Sequence, residues 1–123
     1  MKQFDSELEM IEYVVRKLDE QGKRCTVNVG GKDWCSYADG DGNHCAAGWL
    51  MTENELLAAK PHTAEECGID FGNSLSLVIT LQEAHDNTWK RAGGTFKDAL
   101  LRQYSSHTSI REWKQKQVNS EAV

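Results

Sequence analysis

Between Trp34 and Met51 the chain reads WCSYADGDGNHCAAGWLM, and no other stretch restricts the fold as tightly. Its two Asp-Gly pairs invite tight turns. The Ala46-Ala47-Gly48 run lets one backbone approach another, and cysteines, tryptophans, a tyrosine and a histidine crowd both ends of the turn. The pattern predicts a strand ending near Tyr37, a solvent-facing loop over Asp39 to Asn43, and a return segment from His44 to Met51. Side chains from both limbs would converge on one point.

The flanking sequence supplies what this element packs against. Leu8, Ile11, Val14, Val15 and Leu18 recur at helical spacing, Ser6 and Glu9 form a capping-box pattern, and Gly22 is placed to stop the helix. From Lys23 the period changes to two. Cys25, Val27 and Val29 alternate with polar residues, Gly30-Gly31 turns the chain, and Lys32 to Tyr37 returns as a second strand, giving a β-hairpin. Thr52 and Glu55 form another capping-box pattern ahead of a short helix closed by Pro61. Residues 62–73 read as a loop with one helical turn at Ala64 to Cys67. A wide apolar stripe from Ser74 to Trp89 predicts a central helix, broken at Ala92-Gly93-Gly94. Thr95 caps a third helix through Tyr104, and Ile110 to Val118 reads as a short exposed helix.

With 123 residues and 39% hydrophobic content, the chain fits a single domain able to bury a core without covalent staples. The expected domain spans 1–118, with 119–123 a frayed tail. No apolar run reaches the length of a membrane span, and the start MKQFDSELEM lacks the order of a secretory signal. The expected compartment is therefore the cytoplasm, where four cysteines stay thiols or bind metal. Charge is uneven: residues 1–89 carry seven Lys or Arg against sixteen Asp or Glu, or −9, and residues 90–123 carry seven against three, or +4. An acidic body repels phosphate, which confines any nucleic-acid contact to the C-terminal part.

The motifs Cys35-x-Tyr37, Gly42-x-x-Cys45-Ala46-x-Gly48-x-Leu50 and Leu81-Gln82-x-x-His85-Asp86 together resemble a loose group of small uncharacterised proteins from tailed bacteriophages and bacterial genomes. The resemblance covers residues 35–89 and implies a phage accessory setting, with the host cytoplasm as compartment. It implies no active site. Members of that group often have a proline at the start of the helix after the Cys-Ala segment, where this chain has Thr52.

Three chemical readings compete for the same residues. Cys35, Cys45 and His85, with His44 or Cys25 as a fourth, have the thiolate and imidazole mix that zinc favours. However, Cys25, Cys35 and Cys45 are each separated by nine intervening residues rather than set in close pairs, and small buried hydrophobes are the simpler role for such cysteines. Cys45 as a nucleophile, with His85 as base and Asp86 orienting it, would make a cysteine-dependent hydrolase. That reading lacks an evident oxyanion partner. Lys90, Arg91, Lys97, Arg102, Arg111, Lys114 and Lys116, interleaved with Trp89, Tyr104 and Trp113, could track a nucleic-acid backbone and stack on bases. The run Asp39-Gly40-Asp41-Gly42-Asn43 departs from a calcium loop, since His44 and Leu50 stand where Gly and Glu would be needed.

The expected fold is α+β: three main helices packed with a small antiparallel β-hairpin in one domain. The favoured function is non-enzymatic binding, and inhibition, of a host protein through Trp34, Tyr37, Asp39, Asp41, His44 and Trp49, with no cofactor. A zinc-stabilised or nucleic-acid-binding module is the alternative, and the hydrolase a further one.

Overall fold

The computed structural model describes residues 1–89 and 94–121, with side chains other than those of 33–35 and 121. Lys90 and Arg91, and the side chains of Trp34 and Cys35, therefore lie outside the described residues. The first helix, α1 (Glu7–Gln21), starts as its sequence predicts: Ser6 Oγ accepts from the Glu9 N–H at 3.2 Å. The Glu9 carboxylate goes one residue further back, to the Asp5 N–H at 3.1 Å. The helix ends at Gly22, whose φ of 75° only glycine adopts without strain and whose N–H closes on Leu18 O at 2.8 Å.

The α+β expectation is overturned. The molecule is mostly helical, and extended chain among the described residues is confined to β1 (Thr26–Val29) and β2 (Lys32–Cys35), four residues each, bonded antiparallel. None of Thr26–Val29 is fully buried, and Asn28 and Val29 are exposed. So short a pair presents no apolar face on which helices could lie, and it forms no layer of the core. The alternation at 25–29 is a correct local signal for extended backbone; what it lacks is the length and apolar width that make a sheet.

The core is instead helix on helix. Beyond the strand pair come α2 (Ala46–Leu50), α3 (Glu53–Ala58), α4 (Leu75–Glu83), α5 (Phe96–Arg102) and α6 (Thr108–Glu121). Ile11, Val14 and Leu18 of α1 meet Ala47 and Leu50 of α2, Leu77 and Leu81 of α4, Phe96 and Leu100 of α5, and Ile110 and Trp113 of α6 in one buried cluster. Two capping devices are as the sequence predicts: Thr52 and Glu55 complete a reciprocal capping box on α3, and Thr95 Oγ1 accepts from the Asp98 N–H at 3.0 Å at the start of α5. A third comes from outside the helix. The Asp19 carboxylate of α1 accepts from the Phe96 N–H at 2.7 Å, which binds α5 to α1.

Two helices differ from expectation in ways that matter for the site. The single helix expected from Ser74 to Trp89 divides: after α4 the chain widens into a π turn over Ala84–Thr88, closed by Trp89 N–H on Ala84 O at 2.8 Å. Meanwhile α6 is not an exposed appendage. It runs fourteen residues, buries Ile110 and Trp113 against α1, and is tied there by Ser109 Oγ to Glu7 at 2.6 Å and Lys116 to Glu12 at 2.7 Å. No helix of the described residues is long and apolar enough to cross a membrane.

Candidate functional site

The π turn puts two adjacent side chains, His85 and Asp86, into one hydrogen-bonded unit with α2 and with the entry to β1. His85 is fully buried. Its Nε2 accepts from the Cys25 backbone N–H at 3.1 Å, which fixes the proton on Nδ1, and Nδ1 donates to Asp86 Oδ1 at 2.7 Å. Gln82, one α-helical turn earlier, donates from Nε2 to the same Asp86 oxygen at 2.9 Å and accepts from the Ala47 N–H at 3.0 Å. Arg24 adds a bond to the Asp86 carbonyl at 3.1 Å. A continuous polar chain thus runs from Cys25 through His85, Asp86 and Gln82 to the first turn of α2. The Leu81-Gln82-x-x-His85-Asp86 motif is the spine of this clamp.

The cysteines sit around it. Cys45 caps α2: its Sγ, in a residue only 1% exposed, accepts from the Gly48 N–H at 3.3 Å. Cys25 Sγ donates to Asn43 O at 3.3 Å, and burial, helped by the nearby Asp39 charge, pushes its thiol up to about 12. Such a thiol is fully protonated at neutral pH and a poor nucleophile. Cys67 is buried on the far limb and donates to Ala64 O at 3.5 Å. For His85 to act as base toward Cys45, or as a metal ligand, one of its two ring bonds would have to be given up. Within the described residues no three His, Cys, Asp or Glu side chains group to hold a metal ion; of the zinc set, Cys45 and His85 lie within those residues and the Cys35 side chain does not.

The residues expected to bind a partner are largely committed to building the turn. Asp39 Oδ1 accepts from the Asp41 and Asn43 N–H groups at 2.8 and 3.2 Å, and Oδ2 accepts from Asn43 Nδ2 at 2.7 Å. The Asn43 side chain and these N–H groups hold the Asp39 carboxyl below its ordinary range. Tyr37 Oη donates to His62 O, tying the turn to the 62–73 loop, and burial together with the Cys67 thiol pushes the phenol up. His44 donates from Nδ1 to Tyr37 O at 2.9 Å and meets Trp49 edge-on at 4.6 Å. Gly48 is the tightest contact: a Cβ placed there would lie 2.2 Å from Tyr37 O. Among the described members of the expected binding set, Asp41 alone is exposed, at the tip of the turn between the exposed Gly40 and Gly42.

Two features carry no motif. Gln21, the last residue of α1, donates from Nε2 to His44 O at 3.0 Å and to Lys23 O at 2.7 Å, while its Oε1 accepts from the His44 N–H at 2.9 Å and the Trp49 indole at 3.0 Å. It fastens α1 to the central turn. Elsewhere, Lys2 and Lys17 lie over both the Tyr13 and Trp49 rings, and Arg16 lies over Tyr13. The 13, 16, 17 spacing on one helix is the available signal for three of the five members of this cluster; Lys2 and Trp49 arrive from elsewhere in the chain.

The basic C-terminal set is partly dispersed. Trp89 and Trp113 are buried at 5% and 2% exposure, which leaves Tyr104, at 90%, as the exposed ring of the three. Lys116 pairs with Glu12 and Lys114 donates to Gln103 O. Arg102 and Arg111 remain exposed, and Lys97 is half-buried. A stacking surface for bases would therefore rest on Tyr104 alone. No family model matches the chain, and neither a curated protein nor a solved structure is found similar to it.

Proposed function

We propose that the protein is a small phage-type accessory protein that works without catalysis, by occupying and thereby inhibiting a surface of a host protein. The observation that carries this reading is the way the reactive side chains are used. Both ring nitrogens of His85 hold neighbouring groups, Cys25 and Cys45 direct buried thiols at backbone atoms, and Tyr37, Asp39 and His44 brace the turn. Groups locked in this way give a stiff scaffold, and stiffness favours binding because little entropy is lost on contact. Recognition would then fall to solvent-facing side chains.

Co-purification from a bacterial host, repeated with the tag on the captured protein and followed by calorimetry on the purified pair, tests this reading. A saturable 1:1 complex, formed equally by the wild type and by Cys45→Ser, is the expected result. The reading fails if no saturable complex forms, or if the protein turns over a substrate and Cys45→Ser abolishes that turnover.

A further inference from the structure

Residues 1–89 hold only seven Lys or Arg against sixteen Asp or Glu, yet three of the seven meet at one place. Lys2 Nζ lies 5.1 Å from the Tyr13 ring centroid and 5.8 Å from that of Trp49, and Lys17 Nζ lies 5.8 and 5.5 Å from the same two rings. Arg16 Cζ is 5.7 Å from Tyr13. Helix geometry explains part of this, since positions 13, 16 and 17 share one face of α1. The rest follows from the Lys2 N–H bond to Leu50 O at 2.7 Å, which lays the N-terminal segment beside Trp49, and from Phe4, tilted against Tyr13 at 5.3 Å.

These cations are weakly compensated. Among the described residues the carboxylate partner of Arg16 and Lys17 is Glu20, 3.9 Å from Arg16 Nε and 4.0 Å from Lys17 Nζ, at the outer limit of an ion pair. Lys2 Nζ donates to Tyr13 Oη at 2.8 Å, one of the three donors an ammonium carries. Three like charges crowded over shared rings repel one another, and the half-buried ring faces lower the local dielectric in which an incoming anion would be bound.

We propose that Lys2, Arg16 and Lys17, set over Tyr13 and Trp49, form the docking site for a short acidic segment of a protein partner. This rests on the binding reading above and names the surface that carries it. Charge complementarity selects the occupant. Three cations suit a run of three or four carboxylates, whose charge-assisted hydrogen bonds would use the open ammonium and guanidinium donors. A nucleic-acid strand carries its charge onward at every nucleotide and would extend over the acidic remainder of residues 1–89.

Fluorescence anisotropy of a labelled peptide with four consecutive glutamates flanked by uncharged Gly-Ser residues, in low salt with the full chain, tests the proposal. Saturable binding by the wild type is expected. Lys2→Gln and Lys17→Gln should each weaken it by about two- to five-fold, the range of one partly exposed ion pair. The Lys2→Gln/Arg16→Gln/Lys17→Gln triple variant should weaken it by more than about ten-fold, with the thermal midpoint followed in parallel. Arg102→Ala/Arg111→Ala should bind like the wild type. The proposal is overturned if the wild type does not bind, if binding follows Arg102 and Arg111 instead, or if an oligothymidylate of equal charge binds more tightly through Lys2, Arg16 and Lys17. Should the triple variant still form the host complex sought by co-purification, this site falls while the binding reading stands.

Discussion

Gly48 and Cys25 show how single residues set the limits of the central turn. The α2 backbone at Gly48 is pressed against Tyr37 O so closely that a methyl group would sit at 2.2 Å from it, well inside contact distance. Gly48→Ala must push the two backbones apart, break the His44 bond to Tyr37 O, or both. Overpacking of this kind costs about 1–3 kcal/mol, and urea unfolding should register a loss of that order; a stability equal to wild type would mean that the turn yields freely. Cys25 makes a pH-dependent prediction. Its thiol, ordinarily near 9, is pushed up to about 12 in the fold by burial and by Asp39. A raised value gives stability that is fully present below pH 9 and lost as the pH climbs toward 12, because the unfolded chain releases the proton first. The slope can reach about 1.4 kcal/mol per pH unit. Unfolding midpoints measured from pH 8 to 11 should fall more steeply for wild type than for Cys25→Ala. Parallel curves would show that the thiol is not the group responsible, leaving Tyr37, whose phenol is raised in the same sense.

At the scale of elements, the turn is joined to α1 and α4 by glutamines, while the cysteines that draw attention in the sequence bond to backbone atoms of the turn itself. Gln82 satisfies an N–H in the first turn of α2 while bracing Asp86. Gln21 joins the end of α1 to both backbone groups of His44 and to the Trp49 indole. Gln21→Ala would leave half-buried donors and an acceptor without partners, and each such orphan costs about 1–3 kcal/mol where water cannot reach it. The expected outcome is a destabilisation of about 2 kcal/mol accompanied by a shift in tryptophan emission as the Trp49 indole loses its partner. An unchanged emission maximum together with full stability would show that α1 and the turn are held by packing alone. Neither glutamine announces itself in sequence, because an amide that bonds to backbone has no characteristic spacing. The same holds for the π turn: the stripe through Leu81, His85 and Trp89 reads as uninterrupted helix, and the extra residue is detectable only when Cys25 and Asp86 are seen to share His85.

For the whole molecule, what could be read from sequence was local and what could not be read was tertiary. The starts of α1, α3 and α5 and the stop at Gly22 are decided within a few residues by caps, and the sequence locates them. The fold class failed because alternation over 25–29 reports extended backbone without reporting whether a sheet exists to use it. The burial of the last helix is hidden for a related reason: Ile110 and Trp113 form a stripe too narrow to imply burial until α1, about a hundred residues earlier, is found opposite. That pairing closes the molecule. The Trp113 ring, 2% exposed, sits in the same core as Ile11 and Val14, while Glu7–Ser109 and Glu12–Lys116 hold the rim. Surface pairs such as Lys116 with Glu12 contribute about 0–1 kcal/mol, whereas truncating a buried tryptophan costs about 3–5 kcal/mol, a large share of the about 5–15 kcal/mol that stabilises a whole domain. Trp113→Ala should therefore release α6 more readily than it disorders the rest. In amide hydrogen exchange followed by mass spectrometry, peptides from 108–121 should lose protection first and by the largest factor, with those from α4 retaining theirs until global unfolding. If the α4 and α6 peptides lose protection together, α6 is part of the single cooperative core; if α6 stays protected, the Glu7 and Glu12 contacts hold it, and the packing argument for its burial is wrong.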